Sequence, residues 1–226
     1  MDRAAVFDVD GTLADTNHLH VTAWWEAFRQ SGHRVEMWDI HQALGLPSRQ
    51  LVARLLGDDR DTDGDDAVIT AHKVLYATFF DRIAPLERAP DLLRELAESG
   101  WKVVLATSAA GDELAALRHA IDADDAITAT TSADDVQQGK PAPEPVERAL
   151  ELAGVSADRA VFIGDSVWDM KAATAANVVG VGLLSGGISR ADLETAGARA
   201  VYRNPADLLE QLGSSPIANI ERRRSS

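Results

Sequence analysis

The sequence predicts an α/β fold: a parallel sheet with helices on both faces, plus an inserted all-helical cap. Two observations carry this prediction. Short apolar runs rich in β-branched residues alternate with helical patterns, as buried parallel strands and their crossover helices do. One long stretch after the first run holds helical patterns alone, so it interrupts the alternation as an insertion.

The strand-like runs are Ala4 to Phe7, Val103 to Ala106, Ala160 to Ile163 and Val178 to Leu183, each ending in Asp, Thr/Ser or Gly. Helical patterns lie between and beside them at Pro90 to Ser99, Asp112 to Ala120, Glu144 to Ala153 and Val167 to Ala176. The interruption runs from Thr16 to about Pro85, with Leu19, Ala23 and Phe28 on its first helix and Val68 to Phe80 on a later one. A loop from Gly57 to Asp66, acidic at Asp61, Asp63, Asp65 and Asp66, separates them and reads as solvated. The expected organisation is therefore a core of residues 1–15 and 86–213, a helical cap of residues 16–85, and a flexible polar tail of residues 214–226 ending in Arg222-Arg223-Arg224.

Composition narrows the function. At 226 residues and 46% hydrophobic, the chain can bury a full core. Its net charge of -14 repels phosphate backbones and anionic membranes, so neither nucleic acid nor a membrane is an expected partner. The absence of cysteine removes thiolate nucleophiles and cysteine-held zinc. With no signal-like start and no apolar run long enough to span a bilayer, a cytoplasmic enzyme is expected, as a monomer or weak homodimer.

In a doubly wound sheet, ligands bind beyond the carboxyl ends of the strands, so functional residues are expected there. Asp8-Val9-Asp10-Gly11-Thr12 follows the first run and sets two carboxylates one alternation apart, where a cation or shared proton would relieve their repulsion. Thr107-Ser108 offers hydroxyls and amides after the second, Lys140 sits in Gly139-Lys140-Pro141-Ala142-Pro143, and Gly164-Asp165-Ser166 precedes Asp169. Taken singly, each also has an ordinary reading: an Asp-Gly turn, a helix cap, a solvated lysine, acids favoured at a helix start. Their recurrence at successive strand ends is what those readings leave unexplained.

Asp8-Val9-Asp10-Gly11-Thr12, Thr107, Lys140 and Gly164-Asp165 with Asp169 resemble the four signature motifs of the haloacid dehalogenase-like superfamily. The resemblance implies a Rossmann-like sheet, a mobile cap and catalysis by an aspartyl nucleophile on a small phosphorylated metabolite. It implies that Asp8 attacks phosphorus, that Asp10 serves as acid and then base, and that Thr107 and Lys140 hold the phosphoryl oxygens, with Gly11, Thr12 and Ser108 lining the substrate. It implies Mg²⁺ held by Asp8, the Asp10 main-chain carbonyl and Asp165, with Asp169 orienting water or Lys140.

Asp10 points to a phosphatase of phosphoglycolate or sugar phosphate type, since a dehalogenase lacks this second acid. Asp15-Thr16, His20, Ala23, Trp24 and Ser48-Arg49 are similar to the β-phosphoglucomutase group, in which the matching His and Arg bind substrate from the cap. Against that group, the last motif here follows the hydrolase pattern. His20 and Arg49 also read as ordinary surface residues of the cap, and a non-catalytic binding module is the rival of a different class. Lys73, the one lysine between Thr16 and Pro85, is expected far from the hinge.

Overall fold

The computed structural model describes residues 2–222, with the side chains of Glu221 and Arg222 left aside. Six strands form one parallel sheet: β1 (Arg3–Phe7), β2 (Trp101–Ala106), β3 (Ile127–Thr131), β4 (Ala160–Gly164), β5 (Val179–Leu183) and β6 (Ala198–Tyr202). Their order is β3-β2-β1-β4-β5-β6, so the chain reverses its direction of travel between β1 and β4. The carboxyl ends of those two strands flank the switch point, where a ligand crevice forms in open α/β sheets.

Alternation along β1 divides the core in two. Ala5 and Phe7 face one layer with Leu92, Leu93 and Leu96 of the helix Ala89–Glu98 and Leu117 and Ile121 of the helix Gly111–Ile121. Ala4 and Val6 face the other, with Val146 and Ala149 of Glu144–Ala153, Met170 and Ala173 of Val167–Ala175, and Leu193 of Arg190–Thr195. All four β1 residues Ala4 to Phe7 are fully buried, which is why the run is apolar without a polar face.

The insertion contributes four helices, α1 (Asn17–Gln30), α2 (Met37–Ala43), α3 (Ser48–Leu56) and α4 (Asp65–Ala77). Counting onward, the core helices are α5 (Ala89–Glu98), α6 (Gly111–Ile121), α7 (Glu144–Ala153), α8 (Val167–Ala175), α9 (Arg190–Thr195), α10 (Pro205–Glu210) and α11 (Pro216–Arg222). The insertion has its own apolar centre of Val21, Trp24, Phe28, Ile40, Leu51 and Val68, joined by Trp168 from α8 of the core. Its two crossings run side by side: Asp15 N donates to Ala84 O at 3.0 Å and Leu86 N to Leu13 O at 2.8 Å.

Two expectations need correction. Residues 214–222, expected as a loose tail, include the helix α11, which places Ile217 and Ile220, one helical turn apart, in the same core layer as α5, so their burial outweighs the polar composition around them. Residues 223–226 lie outside the described residues. The acidic loop before α4 is not wholly solvated either, because Asp65 is buried and receives Arg60 Nη2 at 2.9 Å. Among the described residues, no helix is long and apolar enough to cross a membrane.

Candidate active site

At the end of β1 the chain bends at Gly11, whose φ of +72° is in the left-handed region that glycine tolerates. A side chain there would also overlap Asn17 Nδ2 and Asp165 Oδ2, so the turn brings three segments to one point. Thr12 Oγ1 donates to Asp165 Oδ1 at 3.0 Å and Asn17 Nδ2 to Asp165 Oδ2 at 2.8 Å, fixing both oxygens of the carboxylate at the end of β4. Ser166 caps α8, and Asp169 returns the bond: its Oδ2 accepts from Ser166 N at 3.0 Å and from Ser166 Oγ at 2.6 Å.

Lys140 closes the cluster. Its ammonium reaches Asp8 Oδ1 and lies 2.7 Å from Asp169 Oδ1, and all three side chains are buried. The carboxylates of Asp8, Asp165 and Asp169 present oxygens within 4.8 Å of one another. Three acids against one lysine leave a deficit of positive charge. Burial first, and then the neighbouring carboxylates of Asp169 and Asp165, push Asp8 well above the ordinary carboxylate range despite Lys140. Burial and Asp169 likewise push Asp165 up to about 7. Burial works against the Lys140 charge, but Asp169 and Asp8 outweigh it and hold the ammonium above its usual range.

A hard divalent cation fits this donor set, which is all oxygen and short of positive charge. Asp169 is tied to Lys140 by an ion pair and to Ser166 at its own helix cap, whereas Asp8 and Asp165 follow the paired strands β1 and β4 and are the side chains placed to ligate. The Asp10 side chain turns elsewhere: Oδ1 accepts from Thr16 Oγ1 at 2.7 Å and lies 3.2 Å from His20 Nε2. Burial opposes its charge, yet the His20 and Thr16 bonds win and lower it below the usual range.

Thr107 directly follows β2, its Oγ1 accepting from Ala109 N at 3.0 Å, and Ser108 stands exposed beside it. Asp8, Asp10, Thr107, Ser108, Lys140 and Asp165 all open onto a cavity of about 550 Å³ between the strand ends and the cap, within the usual range for small-molecule sites. His20 joins them from α1. Arg49 does not: its guanidinium is 69% exposed, bonds Asp66 Oδ1 at 2.6 Å, and lies outside the cavity lining. Lys73, expected far from the hinge, is carried by α4 to the cavity wall.

Sequence reading missed Asn17, Glu113 and His72. Asn17 holds Asp165, and Glu113 Oε1 approaches His20 Nε2 to 3.8 Å. Burial, and then the charge of Asp10, push Glu113 up to about 7. His20 Nδ1 lies 3.2 Å from His72 Nε2, and burial followed by the His20 charge drives His72 well below the ordinary histidine range. His20 itself is held above that range, since its bond to Asp10 outweighs the burial that disfavours its charge. None of these has a local motif; only the packing of α1 and α4 over the core creates them.

The family model of the haloacid dehalogenase-like hydrolases matches residues 3–177. A phosphoglycolate phosphatase of Rhodospirillum rubrum is 31% identical over 226 aligned positions, covering 94% of this chain and 92% of its own length. The structure of a hydrolase from Pseudomonas syringae superposes with a TM-score of 0.89 at 34% identity, over 94% of this chain and 99% of that one. A β-phosphoglucomutase from Clostridium difficile has a TM-score of 0.83 with full coverage of both chains, but at 18% identity it shares the fold alone. With the four strand-end stations gathered at one crevice and this match across most of its length, the chain belongs to the haloacid dehalogenase-like hydrolase family.

Proposed function

We propose that the chain is a Mg²⁺-dependent phosphatase acting on a small phosphomonoester, of the phosphoglycolate or sugar phosphate type, through a phosphoaspartyl intermediate on Asp8. The observation that carries this reading is the buried Asp8–Lys140–Asp169 array beside Asp165, of which Asp8, Lys140 and Asp165 line the cavity. Bound at Asp8, the Asp10 carbonyl and Asp165, Mg²⁺ supplies Lewis-acid neutralisation of phosphoryl charge.

The protein's own groups account for the rest. An Asp8 oxygen attacks phosphorus, the P–O ester bond breaks, and Asp10 gives its proton to the departing alkoxide. Arrival of a phosphate dianion disfavours the Asp10 charge and so promotes uptake of that proton. Asp10 then takes a proton from water as the water attacks phosphorus, which frees phosphate and restores the Asp8 carboxylate. Lys140 and Thr107 stabilise the phosphoryl oxygens, and Asp169, held by Ser166, aims Lys140.

A sugar phosphomutase has less support, because it must grip a second phosphate from the cap and Arg49 is spent on Asp66 away from the cavity. The test is phosphate release from p-nitrophenyl phosphate with Mg²⁺. Wild type should turn it over and Asp8→Asn should be inert; an Asp8→Asn variant as active as wild type would remove the mechanism.

A further inference from the structure

The turn Leu184–Gly186, just after β5, touches both the acidic cluster and the cap. Ser185 Oγ donates to Gly11 O at 2.7 Å, which ties this turn to the bend after β1. Gly186 is buried and packs against the Asp165 carboxylate so closely that a side chain there would overlap Asp165 Oδ2. The carboxylate fills the space of the missing side chain, and in a close-packed interior a shift of Gly186 therefore moves the wall on which Asp165 rests.

The cap holds that wall in place. His41 of α2 presents Nε2 to Gly186 O at 2.7 Å, and Asn17, at the start of α1, reaches the same oxygen with Nδ2 at 3.4 Å while bonding Asp165 Oδ2 at 2.8 Å. A carbonyl oxygen only accepts, so the His41 proton sits on Nε2. The ring is placed from two sides. His18 of α1 lies nearly parallel to it, 15° between planes at 6.0 Å, and Gly187, at φ +82°, leaves room for its edge, since a Cβ there would stand 3.1 Å from Cε1 and Nε2. His41 stands outside the lining of the 550 Å³ cavity, so it acts on the core through Gly186 and not on the substrate.

We propose that His41 is a positioning residue for the metal site: by clamping Gly186 against Asp165, it couples docking of the cap to the binding of Mg²⁺. The proposal rests on the reading of Asp8 and Asp165 as Mg²⁺ ligands. With α2 docked, Asp165 is fixed by Thr12, Asn17 and the wall at Gly186. When α2 lifts, Gly186 O gives up its 2.7 Å donor and the ligating carboxylate loses a fixed neighbour. Coupling of this kind is reciprocal, so whatever the docked cap adds to Mg²⁺ affinity, bound Mg²⁺ returns to docking of the cap. The cavity is then closed most firmly when the cation needed for chemistry is in place.

Two measurements without substrate test this. In titration calorimetry of Mg²⁺ into the full chain at neutral pH, His41→Ala should raise the Kd at least about fivefold, and His41→Gln, which keeps a side-chain N–H donor, should restore it to within about twofold. In hydrogen exchange of wild type, Mg²⁺ should slow the amides of α2. A folded His41→Ala protein with wild-type affinity overturns the proposal, as does a folded His41→Gln protein no better than the alanine variant. Exchange in α2 of wild type that ignores bound Mg²⁺ overturns it as well, and that arm does not depend on any variant folding. Wild type that binds no Mg²⁺ at all is a different result, which would overturn the metal-dependent reading beneath it.

Discussion

Replacing Asp165 with asparagine should stabilise the protein when no metal is present and the pH is above 7. Asp165 is 4% exposed, and burial with Asp169 nearby pushes it up to about 7 from a reference of 3.8. Below pH 4 the folded and unfolded chains both hold this proton. Between pH 4 and 7 the unfolded chain loses it while the folded chain keeps it, so stability falls as pH rises. Above pH 7 the full penalty is present, about 4 kcal/mol for a shift of about three units. Asparagine escapes that penalty but offers one acceptor to two donors, Thr12 and Asn17, which costs about 1–3 kcal/mol. The net gain is about 1–3 kcal/mol, or roughly 2–12 °C in Tm for a chain of this size. Thermal melts in EDTA at pH 8 and pH 5 provide the assay. The variant should melt higher than wild type at pH 8 and lose that advantage at pH 5. Saturating Mg²⁺ at pH 8 should reverse the order, because only wild type keeps both ligating carboxylates. A variant less stable than wild type in EDTA at pH 8, or a difference that ignores pH, would refute the charge-deficit account.

Other positions test the account from different sides. Arg49→Ala should leave kcat/KM on p-nitrophenyl phosphate within about twofold and shift stability by less than about 1 kcal/mol, since its ion pair is exposed; steady-state kinetics and a urea melt check both. Gly11→Ala should cost more than about 1 kcal/mol, because its φ of +72° and its contacts with Asn17 and Asp165 leave no room for a methyl. Ile220→Ala should destabilise by about 2–5 kcal/mol if α11 belongs to the core, whereas a loose tail would tolerate it without change in the urea midpoint.

What the sequence disclosed and what it hid have a common physical cause. Ala4 to Phe7 and Ala160 to Ile163 are legible because central parallel strands are buried on both faces and must be apolar throughout. The edge strands β3, Ile-Thr-Ala-Thr-Thr, and β6, Ala-Arg-Ala-Val-Tyr, are half exposed and carry no such run. Of the cap helices, α2 is short and exposes Met37 and Trp38, which blurs its apolar stripe.

The site divides along the same line. Asp8, Asp10, Thr107, Lys140, Asp165 and Asp169 sit at or just beyond strand and helix boundaries where local pattern marks them, and the fold gathers them at the switch point. Arg49 stands apart, paired with Asp66, because a motif position in the cap says nothing of where a long side chain finds its counter-charge. Asn17, Glu113 and His72 matter through distances of 2.8, 3.8 and 3.2 Å to residues far away in the chain, and no local spacing encodes such contacts.

The central claim is that Asp8 carries the phosphoryl group during turnover, and acid-quenching the reaction captures that directly. Enzyme mixed with Mg²⁺ and excess substrate, quenched within one turnover and digested for mass spectrometry, should yield a phosphorylated peptide containing Asp8, labile to hydroxylamine as an acyl phosphate is. A quench that captures no phosphoenzyme while turnover is fast and product release is not limiting, or one that places the label on another residue, would contradict it.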